Sequence, residues 1–359
     1  MKTFLDRMED TRPMVYDGGF GSELFKGRIE LTNSALANEL HPAAVVDIHA
    51  AYIEAGTDVI GTNTFVASPL HLEMAGKAAN DAGKIARLAV EHAKTAVEKS
   101  EREVYIAGSV GPSPGAIESD AGDTDFGIAD VKVRDAHEQV IHALAQAGVD
   151  LICIETMFSA KEAAIAADVA RKTELPVAIN LTCKYTKDRK TGEVIYRTDW
   201  GHSPGDLLDF LGSGEFSDGD NLLEHIGIVG MNCGAETRRV EHTGMAYAIN
   251  GIRQFRDAMV SRGVEGIGLM AYPNAGLPQL ERKTGRTTYS QTAEDMAQSV
   301  PELIDSGGAI IGGCCGTGPS HIRAFHGVMN GGQGKADSGG RDPGIQSRQD
   351  DGNGRGKKG

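Results

Sequence analysis

Ala309-Ile310-Ile311-Gly312-Gly313-Cys314-Cys315-Gly316-Thr317 decides how this chain is read. An apolar run enters two adjacent cysteines, glycines flank them, and Pro319-Ser320-His321-Ile322 opens a helix. The cysteines are therefore expected where a buried strand ends and a loop begins. Neighbouring side chains on a strand point to opposite faces. Two thiols converge on one point only where the backbone turns sharply, which glycine allows. A second apolar run, Ile226-Gly227-Ile228-Val229, leads through Gly230-Met231-Asn232 to Cys233 and Gly234. Three thiols thus stand at strand ends, each beside glycine. Three protein ligands with one open position is the arrangement of a catalytic zinc. Packing is the competing explanation, because free cysteine is often a small core hydrophobe. Cys153 and Cys183 fit packing, whereas glycines around Cys314 and Cys315 give up the burial of a core position. A disulfide between Cys314 and Cys315 would need strained geometry.

Outward from this stretch the same unit repeats. Apolar segments at 14–16, 59–61, 104–109, 149–154, 176–181, 226–231, 267–271 and 309–313 read as strands. Helical patterns lie near 39–55, 75–99, 129–147, 160–172, 240–262 and 292–306, and after Pro319. In the first of these, Val45, Ile48, Ala51, Tyr52 and Ala55 recur at helical spacing. Near-strict β-α alternation implies a parallel sheet, and eight units imply an α/β fold of the (β/α)8 TIM-barrel type. The expected organisation is one domain, 1–329, with a disordered glycine-rich tail at 330–359 too poor in apolar side chains to fold. A surface helix at 1–12 and loops at 111–128 and 184–222 make up the excess length. Within the second loop, 187–193 reads as a hairpin turn or a lid. An open doubly wound sheet is the alternative, but no Gly-x-Gly-x-x-Gly follows the first strand.

Composition narrows the partners. A formal charge of −14 disfavours nucleic acid and anionic membrane. Five cysteines, odd in number and unlike a disulfide framework, suit a reducing compartment. The N-terminus lacks an apolar signal core and no run of about 18 apolar residues occurs, so a cytoplasmic location is expected. An oligomer stays open.

In a parallel barrel all strand C-termini share one face, where active sites are built. That face would collect Asp17, Thr62, Asn63, Thr64, Ser109, Glu155, Thr156, Asn180, Asn232, Cys233, Asn274, Cys314 and Cys315. Several have bland explanations. Asp17 would form an Asx turn, Glu155 would cap a helix, Thr62 and Asn63 would satisfy loop backbone, and Asn274 would serve a turn. His202 and His321 read as surface or helix-start residues. The chemistry favours function. Zinc on three thiolates carries net charge −1, a poor activator of water but a good host for a fourth, substrate thiol. Coordination deprotonates that thiol, and thiolate is the nucleophile. Asp17 and Glu155 suit an ammonium group. The backbone N–H groups of Gly18-Gly19 and the Thr62 hydroxyl suit a carboxylate. A zwitterionic amino thiol matches all three demands.

The chain resembles the homocysteine S-methyltransferase family. The resemblance rests on Asp17-Gly18-Gly19-Phe20-Gly21, Ala55-Gly56-Thr57-Asp58-Val59-Ile60-Gly61-Thr62-Asn63-Thr64-Phe65, Ala107-Gly108-Ser109-Val110-Gly111-Pro112 and Gly148-Val149-Asp150-Leu151. It continues through Glu155-Thr156, Met231-Asn232-Cys233, Tyr272-Pro273-Asn274-Ala275-Gly276 and Gly312-Gly313-Cys314-Cys315-Gly316-Thr317. It implies a (β/α)8 barrel with Zn2+ on Cys233, Cys314 and Cys315. It also implies homocysteine gripped through Asp17, Thr62 and Glu155, and methyl transfer to its sulfur, forming methionine. Gly18, Asn63, Asn232 and Asn274 complete the expected substrate-binding set. Gly61 stands where the methionine synthase module has glutamate. Val66 and Thr156 depart from the betaine enzyme, and the single Trp200 leaves few aromatics for a quaternary-ammonium cage. The expected donor is an S-methylmethionine-like sulfonium or a methyl-corrinoid partner protein. No folate or cobalamin module is expected beyond the tail, in which case methyltetrahydrofolate would need a separate protein. Two alternatives are methyl transfer to another small thiol and a zinc- or thiol-binding subunit that turns over only with a partner.

Overall fold

The segments Met14–Val15 (β1), Val59–Gly61 (β2), Tyr105–Val110 (β3), Leu151–Met157 (β4), Val177–Leu181 (β5), Ile226–Cys233 (β6), Gly268–Pro273 (β7) and Gly308–Ile311 (β8) form one parallel sheet. They are seen in a computed structural model that describes residues 2–122, 124, 126–234, 239–280 and 287–331. Each strand pairs with its neighbour in the chain, and β1 returns to β8 through Met14 opposite Ile310. A parallel bridge from Tyr16 to Val59 closes the ring. The expected (β/α)8 barrel is therefore present, as a single domain.

Strand alternation divides the core in two. One set of side chains, including Tyr16, Val59, Ala107, Cys153, Ala178, Ile228, Met270 and Ile310, fills the barrel interior. The opposite faces pack against the helices in a larger cluster. The N-terminal helix Phe4–Met8 plugs the interior from below: Phe4 meets the Tyr105 ring edge-on at 5.4 Å. Helix Pro42–Ala55 stops where expected, because Gly56 takes φ 108°, a left-handed conformation that β-carbons disfavour.

Several boundaries differ from the expectation. The helix foreseen over 75–99 begins at Ala82, and the short helix Pro69–Met74 precedes it. The helix foreseen over 292–306 is two, Ala293–Gln298 and Val300–Asp305, because Pro301 has no N–H to continue the first ladder. The 184–222 segment is not an open loop. Lys184–Lys187 pairs antiparallel with Val194–Arg197, which bears out a hairpin turn at 187–193. Helix Pro204–Ser213 follows, started by a capping box between Ser203 and Asp206. A second hairpin, Pro278–Leu280 with Thr287–Tyr289, was not anticipated, because its strands are three residues long and mostly exposed. The last helix ends at Met329, and the tail expected at 330–359 lies from 332 onward outside the described residues. No helix among the described residues is long and apolar enough to cross a membrane.

Aspartates at strand starts tie the barrel together. Asp58 Oδ2 accepts the Val15 N–H at 2.9 Å, and the Asp58 N–H donates to Val15 O at 2.7 Å. Asp150 Oδ2 accepts the Ile106 N–H at 2.7 Å in the same way. Replacing Asp58 by Ala strands the Val15 donor at the closing seam. Urea unfolding should show a loss of about 1–2 kcal/mol; an unchanged midpoint would remove this role from Asp58.

Candidate metal centre and substrate pocket

The C-terminal ends of the strands open into a cavity of about 1130 Å³. Cys233 ends β6, and Cys314 and Cys315 follow β8. Their three Sγ atoms all lie within 4.8 Å of one another, and all three line the cavity. Among the described residues this is the only group of three or more His, Cys, Asp or Glu side chains placed to hold a metal ion.

The end of β7 brings the two cysteine segments together. It runs between β6 and β8 and bonds to both. The Asn274 N–H donates to Cys233 O at 2.8 Å, and the Cys314 N–H donates to Pro273 O at 2.8 Å. The Cys315 N–H donates to Asn274 Oδ1 at 3.0 Å, and the Ala275 N–H donates to Cys315 O at 2.9 Å. Two backbone turns then aim the sulfurs. Cys233 takes φ 58°, uncommon for a residue with a β-carbon, and Gly316 takes φ 81°. Gly19 permits the closest approach, since a β-carbon there would lie 2.5 Å from Cys314 O.

The donor set fits a soft divalent cation. With zinc–sulfur bonds of about 2.3 Å, tetrahedral ligands stand about 3.8 Å apart, within the observed spread. Without a cation the thiols share protons. Hydrogen bonds from Cys233 and Cys314 push Cys315 down to about 3, while Cys314 is pushed well up by the same pairing and by burial. One thiolate is therefore easy and a second costly. A divalent cation would take the place of the shared protons and favour all three as thiolates.

The carboxylates lie on the same cavity wall. Asp17 is 4% exposed, and its Oδ2 accepts the Gly61 N–H at 2.8 Å. That bond crosses to β2, so Asp17 does not form a local Asx turn. Burial raises Asp17 well above the usual carboxylate range, with Glu155 adding repulsion. Glu155 is half-buried and accepts from the Ser109 hydroxyl and from Tyr272 Oη at 3.2 Å. Burial raises it too, and negative Cys315 adds to the rise. The next helix is capped by Ser159, not by Glu155. Two carboxylates and three sulfurs in one cavity face a single lysine of the described lining, Lys26, which Glu23 pairs at 2.6 Å.

Other expected substrate residues serve the walls. Gly18, Thr62 and Asn63 line the cavity. The Gly19 N–H is engaged by Thr317, at 3.1 Å to Oγ1 and 3.2 Å to O, so it does not serve as the expected anion donor. Thr62 Oγ1 accepts the Ser109 N–H at 3.0 Å and bonds Thr64 Oγ1 at 2.7 Å, and Thr64 donates onward to Ser109 O. The Thr62 proton is therefore committed to Thr64. Asn63 Nδ2 donates to Ser34 O at 2.9 Å. Asn232 and Asn274 are not among the residues lining the cavity. Asn232 is fully buried and donates to Thr156 Oγ1 at 2.6 Å, while its Oδ1 takes the Thr156 N–H at 2.8 Å. His202 Nδ1 accepts the Ala160 N–H and His321 Nδ1 the Gly318 N–H, so both sit at helix starts.

The sequence reading missed two tyrosines. Tyr272 bonds Glu155, and its even spacing from Met270 on β7 placed it inside the barrel. Tyr289, on the unforeseen hairpin, lines the cavity with Cys315 and helps hold that thiol low. The expected shortage of aromatics does not hold at the cavity. Eight line it, among them Phe20, Phe65, Phe158, Trp200, Tyr272 and Tyr289, although aromatics are 5% of the chain.

Comparison with known proteins agrees with this geometry. The family model described as homocysteine S-methyltransferase matches residues 14–329. A methionine synthase of Mycobacterium tuberculosis is 28% identical over 331 residues, covering 87% of this chain but 24% of that protein. The chain thus spans about a quarter of the methionine synthases it matches. Homocysteine S-methyltransferase 2 of Zea mays is 27% identical over 345 residues, covering 88% of this chain and 90% of that one. The metallated crystal form of the homocysteine methyltransferase MmuM of Escherichia coli has a similar fold, with TM-score 0.64 at 20% identity. That match covers 89% of this chain and 98% of MmuM.

Asn274 supports the cluster without supplying a sulfur. Asn274→Ala should weaken zinc about 10- to 100-fold in competition with a chromophoric chelator, as loss of an outer partner does. Undiminished affinity would show that the backbone bonds of β7 suffice.

Proposed function

Because the chain belongs to the homocysteine S-methyltransferase family, we propose that it transfers a methyl group from a small cationic donor to the thiolate of homocysteine, forming methionine. Cys233, Cys314 and Cys315 hold zinc in this reading, which rests above all on their sulfurs meeting within 4.8 Å at the cavity wall. Zinc held there would supply positive charge that favours the ionised form of an incoming thiol.

The chain's own residues do the rest. Asp17 and Glu155 take the substrate ammonium; burial raises both, with Glu155 repelling Asp17 and Cys315 repelling Glu155, and a nearby cation relieves both. Gly18 borders the carboxylate end, where a side chain would meet Tyr52 at 2.8 Å. Thr62, Asn63, Asn232 and Asn274 position these groups through the bonds described above. The substrate sulfur attacks the donor methyl carbon; a new S–C bond forms, the donor's bond to that carbon breaks, and its electron pair leaves with the donor. A sulfonium donor departs as a neutral thioether. The aromatic lining suits such a cation, whose charge is attracted to ring faces.

Incubating zinc-loaded protein with homocysteine and S-methylmethionine tests the reading: methionine should appear. Cys315→Ala should lose stoichiometric zinc and retain less than about one-hundredth of the transfer, a larger loss than outer partners give. Full zinc and full transfer in that variant would contradict the assignment. Asp17→Asn should raise KM for homocysteine about 10- to 100-fold, as loss of one charge-assisted bond does. Zinc and homocysteine binding without methionine from any small donor would favour a subunit served by a corrinoid protein.

A further inference from the structure

We propose that the Tyr16 hydroxyl is a further substrate-binding group, which accepts a hydrogen bond from the amino group of the thiol substrate beside Asp17. The inference rests on the reading of the cavity as an amino-thiol site and extends it to a residue not otherwise assigned.

Tyr16 follows β1, is 3% exposed and lines the cavity. Its hydroxyl is buried and has no nitrogen or oxygen partner among the described residues; its one polar neighbour is the Cys153 thiol, a weak acceptor that leaves the oxygen's lone pairs free. Such orphans are rare and costly in native proteins, and each asks for an explanation. The neighbouring tyrosine behaves differently. The Tyr272 ring lies 5.1 Å from that of Tyr16, yet its hydroxyl is engaged by Glu155 at 3.2 Å.

Gly61 shows where the Tyr16 hydroxyl sits. A β-carbon on Gly61 would lie 2.7 Å from Tyr16 Oη and 3.8 Å from Asp17 Oδ1. Both oxygens therefore border one small space over the Gly61 backbone, at the cavity wall. The other Asp17 oxygen already takes the Gly61 N–H. An ammonium entering this space donates to the carboxylate and to the phenol oxygen together. The absence of a side chain at position 61 is what lets the phenol reach it.

The test is calorimetric titration of zinc-loaded protein with homocysteine and with 4-mercaptobutanoate, the same thiol without its amino group. Tyr16→Phe keeps the ring and removes only the hydroxyl. It should weaken homocysteine about tenfold, the scale of one bond to a charged group, and leave 4-mercaptobutanoate within about twofold. Unchanged homocysteine affinity overturns the proposal while leaving the zinc–thiol reading intact. Wild-type protein that binds both thiols equally overturns the amino-group reading as well. A second arm guards against general disturbance. Gly61→Ala should weaken homocysteine when Tyr16 is present, because the new methyl meets the hydroxyl. In the Tyr16→Phe background its nearest ring contact is Cζ at 3.5 Å, an ordinary distance, so the added loss should vanish. Equal losses in both backgrounds contradict the proposal.

Discussion

Three sulfurs held close together in a partly buried wall cannot all ionise unless a cation joins them. That constraint organises the rest of the site. Between the bare thiols, hydrogen bonding favours one thiolate at Cys315 and holds Cys314 protonated. Asp17 and Glu155 add negative charge to a cavity where both are already raised by burial. Lys26, the one lysine of the described lining, is already paired with Glu23, so the acidic groups and thiols are left without a cation of their own. In the proposed reaction a metal, a substrate ammonium and a sulfonium donor each supply one.

The barrel makes this arrangement possible by bringing distant segments to one rim. Cys233 and Cys315 are far apart in the chain, yet one strand, β7, lies between theirs and bonds to both. Its Pro273-Asn274-Ala275 stretch uses backbone and side-chain groups on the two cysteine segments in turn. Strand ends elsewhere follow the same logic. Asn232 fixes Thr156, Thr64 and Ser109 fix Thr62, and Gly61 fixes Asp17. The side chains facing the cavity are held by others that do not reach it, which is the division expected of a preformed site.

Much of this was legible in the residue order. Strict alternation of apolar runs and helical patterns implied the barrel. Cysteines beside glycine at the ends of β6 and β8 pointed to the cluster. Other features depend on tertiary contacts that no local pattern encodes. Asn232 and Asn274 sit in the right motifs, but only the fold shows that they brace the site from outside the cavity. The Gly19 N–H looked available until Thr317, nearly three hundred residues later, was found to engage it. Tyr289 was hidden because its short, exposed strand carries no apolar alternation. The aromatic lining was hidden because composition counts rings without locating them: scattered residues from several loops gather at one mouth.

X-ray absorption at the zinc edge tests the central claim most directly. Three sulfur neighbours at about 2.3 Å should be seen in zinc-loaded protein, and addition of homocysteine should raise the count to four. Fewer than three sulfurs, or a count indifferent to homocysteine, would contradict the account.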